Sequence, residues 1–296
     1  MTIVEGQGAV VTGGGGGIGR ALARRLADAG ARVAVNDLDP AAAVTVAGEI
    51  GGYAVPGDAG TAEGVRDLIA AARGHLGEID IYCSNAGTAA GTGPDTPEAD
   101  WQRAWEVNVL AHVRASRELL PVWLERGAGR FVVTASAAGL LTMLGAAPYS
   151  VTKHAAVAYA EWLAATYGRR GLTVHCVCPQ GVRTSMLAGS GRAGEVVLLD
   201  TAIEPEQVAD AVWYGMNEGS FLILPHSEVR DYYALRATDT DKWLRGMGRL
   251  QQRIEESGLH HHGHDHVKRE VCGEGVAGTS ARRAPGRAHA RRGSRP

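Results

Sequence analysis

The chain has 296 residues and a formal net charge of −2, and 45% of its residues are hydrophobic. This length and composition can bury one substantial core, so we expect a single domain and, given the near-neutral charge, no overall polyanion-binding role. The sequence lacks the charged-then-apolar pattern of an N-terminal signal and an apolar run of about 18 residues. We therefore expect a cytoplasmic protein that does not contact a membrane.

Five consecutive glycines, 13 to 17, lie between a short apolar run at 9–12 and an amphipathic stretch at 18–29. The apolar run is typical of a buried strand, and the amphipathic stretch has helical spacing and a glycine stop. A flexible linker is one explanation, but a linker would join two independent units. Here the glycines lie inside one strand–turn–helix, which favours a loop whose backbone approaches a pyrophosphate at the helix N-terminus. Their spacing, G-x-x-x-G-x-G, differs from the commonest dinucleotide fingerprint.

Strand-like apolar runs then alternate with helical patterns along the chain. After the first strand, the predicted strands are 32–36, 53–56, 79–84, 130–135, 172–178 and 221–224. After the first helix, the predicted helices are 40–50, 61–76, 98–126, 149–168 and 204–218. This alternation predicts an α/β fold of the doubly wound, Rossmann type, with about seven parallel strands and helices on both faces.

The alternation stops near residue 250, so the sequence predicts one domain at 1–250 and a tail at 251–296. The tail is rich in histidine and arginine and has little apolar periodicity, which predicts disorder. Its histidines could bind nickel or zinc opportunistically, and its arginines from Arg282 onward could contact nucleic acid weakly. We favour a solvated tail with no nucleic-acid partner. The four cysteines lack C-x-x-C spacing, so no metal site is predicted.

Tyr149 and Lys153 are four residues apart near the start of a predicted helix and therefore share one face. A neighbouring ammonium and a helix N-terminus favour the phenolate, so we expect the pKa of Tyr149 to be lowered toward working range. Ser136 follows the predicted strand 130–135 and should open onto the ligand crevice at the carboxyl ends of the strands. The alternative is that Ser136 is a turn serine that caps backbone groups.

These residues belong to an ordered series of motifs that resembles the short-chain dehydrogenase/reductase family over residues 6 to about 225. The series is TGGGGGIG (12–19), Asp37, GDA (57–59), SNAG (84–87), Asn108, Ser136, YSVTK (149–153) and CPQGVRT (178–184). Two positions depart from the family pattern. Ser84 stands where asparagine is usual, and Gln180 replaces the usual glycine after Pro179.

The resemblance implies a nicotinamide-dependent oxidoreductase. Tyr149 would be the acid/base, and Ser136 would hydrogen-bond the substrate oxygen. Lys153 would hold the nicotinamide ribose, and Asn108 would position a water in a proton relay. The residues implied to contact the cofactor are Gly13, Gly16, Gly17, Ile18, Gly19, Asp37, Leu38, Asp58, Ala59, Asn85, Ala86, Gly87, Tyr149, Lys153, Pro179, Gly181, Val182 and Thr184.

Asp37 favours NAD over NADP as the cofactor. It ends the predicted second strand, where its carboxylate can accept hydrogen bonds from the adenosine ribose and would repel a 2′-phosphate. Its neighbours Asn36 and Leu38 are uncharged, and Arg32 lies at the far end of the strand. The alternative is that Asp37 caps the following helix, a role for which Asp39 is better placed.

We expect a hydrophobic secondary alcohol, cyclic or acyclic, and its ketone as the substrate pair. The segment 139–148 and a lid at about 183–204 are largely apolar. They either line the substrate pocket or only pack the lid onto the core. The rival functions are an NADPH-dependent carbonyl or 3-oxoacyl reductase and a non-catalytic dinucleotide-binding regulator. The resemblance also implies a homotetramer or homodimer assembled through the helices at 98–126 and 149–168.

Overall fold

The computed structural model describes residues 4–89 and 91–271, with side chains at all of these except 192 and 258–271. Within these residues, seven strands form one sheet in the order β3-β2-β1-β4-β5-β6-β7. All six pairings are parallel. The strands are β1 Gly8–Thr12, β2 Arg32–Asn36, β3 Tyr53–Ala54, β4 Ile81–Ser84, β5 Gly129–Thr134, β6 Leu172–Val177 and β7 Leu222–Ile223. The predicted doubly wound, Rossmann-type sheet is therefore confirmed.

Helices connect successive strands and cover the sheet. Those in the first half of the chain are α1 Gly17–Asp28, α2 Pro40–Ile50, α3 Ala62–Leu76, α4 Glu98–Trp105 and α5 Ala111–Arg126. Those in the second half are α6 Ala138–Leu141, α7 Ala147–Tyr167, α8 Ser185–Ala188, α9 Gly191–Leu198, α10 Pro205–Glu218, α11 Glu228–Thr238 and α12 Thr240–Val271. A 3₁₀ turn, Gly168–Arg170, follows α7. None of the helices in the described part of the chain is long and apolar enough to cross a membrane.

The sheet separates two apolar layers, because successive side chains of a strand point to opposite faces. On one face, α3, α5 and α7 pack on side chains such as Tyr82 and Phe131. On the other face, α1, α2 and α10 pack on side chains such as Val11 and Val132. Burial on both faces explains why the strands have continuous rather than alternating apolar runs.

The chain reverses its direction of winding between β1 and β4, which are neighbours in the sheet. Ligands of open α/β sheets bind outside the carboxyl ends of the strands at such a switch point. The glycine loop follows β1 and the SNAG motif begins at the end of β4. The fold therefore brings these two motifs together.

The predicted helix 98–126 is interrupted in the structure. A π-helical turn, Glu106–Leu110, separates α4 from α5, and Asn108 lies in this turn. Such turns insert an extra residue, which apolar periodicity alone does not reveal, and they are frequent at functional sites. The short helices α6, α8 and α9 were not predicted, since segments of four to eight residues do not complete enough turns to show a period.

The structure continues α12 to Val271, into the segment predicted to be disordered, and the rest of that segment, 272–296, lies outside the described residues. A helix that has already begun gains one hydrogen bond for each residue added, so extension does not require an apolar face. By internal contacts the chain divides into two units, Met1–Ile254 and Glu255–Pro296. The side chains of the predicted opportunistic histidines (260–266) and the arginine-rich segment from Arg282 onward lie outside the described residues.

Candidate active site

The glycine run forms the loop between β1 and α1, so the linker interpretation is wrong. Gly13 has a φ of +61°, and a side chain at Gly19 would clash with the Gly13 carbonyl oxygen. Both positions therefore require glycine, the first for its backbone conformation and the second for close packing of helix on loop. The loop is fixed to the neighbouring strand, where Gly14 N–H donates to the Asn36 carbonyl at 2.7 Å.

The first turn of α1 is open to an anion. Gly16 is the N-cap residue, no side chain caps the turn, and the turn contains no acidic residue. A Cβ built on Gly16 would have no heavy atom within 4 Å. Uncapped N–H groups and the positive end of the helix dipole suit a diphosphate. The residues present therefore fit the pyrophosphate of a dinucleotide.

Asp37 connects the end of β2 to this loop. Its Oδ2 accepts the Gly15 N–H at 2.9 Å, and its Oδ1 accepts the Asp39 N–H at 3.0 Å. An ionised carboxylate has about four acceptor positions, so capacity remains for ribose hydroxyls. Asp39 caps α2 by accepting from Ala41 and Ala42, as the sequence predicts. The interpretation of Asp37 as the helix cap is therefore wrong.

The SNAG motif lies against the glycine loop. Thr12 Oγ1 accepts the backbone N–H groups of both Asn85 and Ala86 at 3.0 Å. Asn85 Nδ2 donates in return to the Thr12 carbonyl at 3.0 Å. A Cβ on Gly13 would lie 3.0 Å from Ala86 Cα, so the two loops are in close contact. Thr12 was not singled out from the sequence, although it stands in the quoted motif.

Leu38 follows β2 and Asp58 follows β3, beyond the carboxyl ends of these neighbouring strands. Arg103 Nη1 donates to Asp58 Oδ2 at 3.0 Å, and Asp58 Oδ1 accepts the Gly60 N–H at 2.8 Å. Burial by itself would raise the pKa of Asp58, but these hydrogen bonds and the Arg103 charge hold it below its usual value. Leu38 is 64% exposed, whereas Ala59 is buried. An exposed leucine beside the loop offers an apolar surface for a base.

Ser136 follows β5 after one intervening residue, Ala135, at the carboxyl end of the sheet, and its side chain is buried. Its Oγ donates to the Pro179 carbonyl at 3.4 Å and accepts the Ala138 N–H at 3.1 Å. The second contact is the one expected of a turn serine. The first contact joins Ser136 to the CPQGVRT segment, so one hydroxyl serves both the turn and the candidate site.

Lys153 and Asn108 lie beside Gly87. A Cβ on Gly87 would lie 3.4 Å from Lys153 Nζ and 3.3 Å from Asn108 Oδ1. Lys153 Nζ donates to the Thr134 carbonyl at 2.8 Å, and burial lowers its pKa to about 8. Asn108 Nδ2 donates to the Thr88 carbonyl and to Thr152 Oγ1. Both amide hydrogens of Asn108 are therefore used within the protein.

Tyr149 lies in the first turn of α7, one turn before Lys153. The Lys153 ammonium is 5.6 Å from the centre of the Tyr149 ring. Burial raises the pKa of Tyr149 above its ordinary value, and the nearby Ser136 hydroxyl offsets this only in part. The prediction that Lys153 lowers the pKa of Tyr149 is therefore wrong for the protein chain by itself. Removal of the phenol from water outweighs the attraction of a charge at this distance.

The CPQGVRT segment leads from β6 into the lid. Gly181 and Arg183 exchange backbone hydrogen bonds with Ile203, and Thr184 caps the short helix α8. The helix α9 contacts this segment, since a Cβ on Gly181 would lie 2.5 Å from the Leu198 carbonyl oxygen. It also contacts the loop before α7, where a Cβ on Gly145 would lie 3.2 Å from Ala193 Cβ. The lid thus spans the Tyr149 and Pro179 sides of the site.

A parallel doubly wound sheet, an open glycine loop at the switch point and a tyrosine–lysine pair beside it define a dinucleotide-dependent oxidoreductase that acts on CH–OH groups. The chain belongs to the short-chain dehydrogenase/reductase family, because the family model described as short chain dehydrogenase matches residues 7–194.

Three known proteins illustrate this relationship. The 1-deoxy-11-beta-hydroxypentalenate dehydrogenase of Streptomyces exfoliatus is 35% identical over 250 residues, which are 80% of this chain and 88% of the relative. A short chain dehydrogenase/reductase from Burkholderia phymatum, solved in complex with NAD, has a TM-score of 0.75 and 26% identity, covering 81% of this chain and 96% of that one. The 3-ketoacyl-(acyl-carrier-protein) reductase from Brucella melitensis, solved with NADH, has a TM-score of 0.69 and 27% identity. The match covers 75% of this chain and 95% of that one.

Proposed function

We propose that this enzyme interconverts a hydrophobic secondary alcohol, cyclic or acyclic, and its ketone with NAD, and that Tyr149 is the acid/base. The observation that carries the proposal is the grouping of Tyr149, Ser136 and Lys153 at the carboxyl end of the sheet, beside a glycine loop that Asp37 contacts. The same grouping disfavours a non-catalytic regulator, which would have no need of a buried lysine beside a tyrosine.

The proposed roles follow from the chemistry of each group. In the oxidation direction, Tyr149 accepts the hydroxyl proton of the substrate and Ser136 hydrogen-bonds the same oxygen. Lys153 donates one hydrogen bond to the Thr134 carbonyl, its remaining ammonium hydrogens would be available to the ribose of the cofactor, and its charge favours the phenolate. Asn108 lies in the π-helical turn, where it orients a water of the proton relay. NAD, when bound, supplies the carbon that accepts the hydride.

Cofactor binding is assigned along the loops already described. The N–H groups of Gly16, Gly17, Ile18 and Gly19 would hold the diphosphate, and Asp37 would hold the adenosine ribose. The adenine would be held by Leu38, Asp58 and Ala59. The ribose on the nicotinamide side would be held by Asn85, Ala86 and Gly87, and the nicotinamide by Pro179, Gly181, Val182 and Thr184. A carboxylate beside the ribose and no basic neighbour at 36 or 38 support NAD over NADP.

The substrate class rests on the surfaces around Tyr149. The loop before α7 contains Met143 and Leu144, and the lid contains Met186 and Leu187. These side chains offer no charge for a carboxylate or a phosphate, so apolar ring or chain atoms suit them best. The relative from Streptomyces exfoliatus is named for a hydroxylated carboxylate. The hydroxyl group in that name supports an alcohol as the substrate here, whereas the carboxylate does not match the apolar side chains above. The reductase from Brucella melitensis keeps 3-oxoacyl reduction as the second candidate function.

A substrate panel tests the proposal. Cyclic and acyclic secondary alcohols, primary alcohols of equal size, and a 3-oxoacyl thioester for the reverse direction are each assayed with NAD(H) and NADP(H) by nicotinamide absorbance. We expect the highest kcat/KM for apolar secondary alcohols with NAD. A preference for the thioester with NADPH would instead establish the second candidate.

A further inference from the structure

The histidine that follows β7 contacts the segment proposed to hold the nicotinamide. His226 is only 4% exposed, and its Nδ1 accepts the backbone N–H of Gln180 at 3.2 Å. An imidazole nitrogen that accepts a hydrogen bond carries no proton, so the proton of this neutral ring is on Nε2. The two residues are 46 positions apart in the chain. Gln180 is also one of the two positions where the sequence departs from the family pattern.

This contact continues the ladder between β6 and β7. Cys176 N–H donates to the Phe221 carbonyl and Cys178 N–H to the Ile223 carbonyl, so the bonds advance by two residues on each strand. The next donor is Gln180 N–H, and the next carbonyl in this order would be that of Pro225. The His226 ring accepts the bond instead, at the point where the backbone turns away.

Gln180 lies between two residues whose carbonyl groups are hydrogen-bonded to different parts of the protein. On one side, the Pro179 carbonyl accepts hydrogen bonds from Ala137 N–H at 2.8 Å and from Ser136 Oγ at 3.4 Å. On the other side, the Gly181 carbonyl accepts the Ile203 N–H at 3.1 Å. Gln180 thus lies between the catalytic side and the lid side of the segment, and its N–H connects this point to His226, which follows β7.

The remaining polar atoms of the pair argue against a purely structural contact. His226 Nε2 and Gln180 Oε1 are both buried and have no hydrogen-bond partner among the described residues. Burial of polar atoms without partners destabilises a fold; a leucine at 226 would remove one of these atoms but would leave the Gln180 N–H without its acceptor. The benefit of the histidine therefore lies in the bond that Nδ1 makes to Gln180.

We infer that His226 is a positioning residue that holds the segment Pro179–Thr184 in place for the nicotinamide end of the cofactor. The inference rests on the proposed function, since that function assigns this segment to the nicotinamide. His226 acts on this segment through its hydrogen bond to the Gln180 N–H. Its loss should therefore weaken binding of the complete cofactor more than binding of the adenosine half.

Paired ligands and paired variants test this role. NADH and ADP-ribose share the adenosine diphosphate, but only NADH has a nicotinamide. Dissociation constants for both are measured with the full chain carrying His226→Leu, His226→Asn or His226→Gln. Asparagine places an acceptor near the position of Nδ1, whereas glutamine places its amide near Nε2. His175→Leu is the matched control, because His175 is also buried and its ring bonds the Ser220 carbonyl at 2.7 Å, just before β7.

For His226→Leu and His226→Gln we expect NADH to bind about fivefold more weakly, because each variant loses one hydrogen bond. ADP-ribose binding should change by less than about twofold in both variants, and His226→Asn should bind NADH nearly as well as wild type. His175→Leu should lower the melting temperature and leave the ratio of the two constants unchanged. Should His226→Leu fail to fold, the comparison of His226→Asn with His226→Gln decides the question alone.

An equal loss of both ligands, or an asparagine variant as weak as the leucine variant, would overturn the positioning role. A wild-type chain that binds ADP-ribose but neither NADH nor NADPH would contradict the proposed function itself, and the role of His226 would fall with it. If wild type prefers NADPH, the same comparison is made with NADPH and 2′-phospho-ADP-ribose.

Discussion

Asp37 Oδ2 accepts the backbone N–H of Gly15 at 2.9 Å, so one carboxylate joins the end of β2 to the glycine loop. A Cβ on Gly15 would lie 2.8 Å from the same oxygen. The carboxylate therefore both shapes the loop and presents negative charge beside the expected adenosine ribose. This double role leads to the first prediction.

Asp37→Ala should shift the enzyme away from NAD. Removal of the charge removes a repulsion of roughly 1 to 4 kcal/mol against a 2′-phosphate, so the ratio of kcat/KM for NAD to that for NADP should fall by about fivefold or more. The measurement is steady-state kinetics with both cofactors on one alcohol. Asp39→Ala is the matched control, since it removes the α2 cap and lowers stability by about 1 kcal/mol but should leave the ratio unchanged. A ratio that does not respond to Asp37→Ala would refute the assignment.

Tyr149→Phe should abolish turnover and preserve cofactor binding. The substitution removes only the phenolic oxygen, and loss of a general acid/base costs about 10²- to 10⁴-fold in rate. Initial rates and a binding titration with NADH measure the two effects. Tyr159→Phe is the control on the same helix, because the Tyr159 hydroxyl bonds Ser116 Oγ at 2.6 Å, a contact not assigned to the candidate site. Comparable rates in the two variants would show that Tyr149 is not the acid/base.

His112 should make the protein less stable in mild acid. Burial, aided by the Lys153 charge, lowers the pKa of His112 from 6.5 to about 3, and Ser84 Oγ lies 2.6 Å from its Nδ1. Between these two values the unfolded chain binds a proton that the folded chain does not. The free energy of unfolding therefore falls as the pH decreases through this window, by about 5 kcal/mol at most.

Urea unfolding at several pH values between 7 and 4 measures this effect. The asparagine of the His112→Asn variant cannot bind this proton. The difference in the free energy of unfolding between wild type and this variant should therefore shrink as the pH falls. Ser84→Ala removes the hydroxyl but retains the imidazole, and should follow the wild-type pH dependence. If the curves of wild type and His112→Asn run parallel, His112 does not contribute to the acid sensitivity.

The α7 helix should form a subunit interface. Val151 and Trp162 are 49% and 51% exposed, and Trp162 lies in a ring cluster with Tyr159 and Tyr167. Large exposed apolar side chains on one element are typical of protein–protein contacts. Trp162→Arg should therefore lower the mass measured by light scattering from that of a tetramer or dimer toward that of a monomer. Tyr214→Arg, at a 65% exposed position on α10, is the control and should leave the mass unchanged. A wild-type monomer would contradict the expectation.

Local patterns in the sequence determined the order and type of the main elements, because the spacing of apolar residues that distinguishes a strand from a helix involves residues that are near one another in the chain. The glycine run predicted the loop between β1 and α1, and the Asp39 cap was predicted from its position before Pro40. Residue spacing also predicted that Tyr149 and Lys153 lie on one helix. These features can be predicted without knowing which parts of the chain pack against them.

Only the tertiary structure decided the properties that depend on distant segments. The pKa of Tyr149 is raised rather than lowered because the surrounding chain removes the phenol from water. The spacing of apolar residues likewise does not predict the π-helical turn at Asn108 or the hydrogen bond between Gln180 and His226. Desolvation and long-range hydrogen bonds act between atoms that the fold brings together. A short stretch of sequence cannot specify them, because the energy of each group depends on neighbours contributed by other parts of the chain.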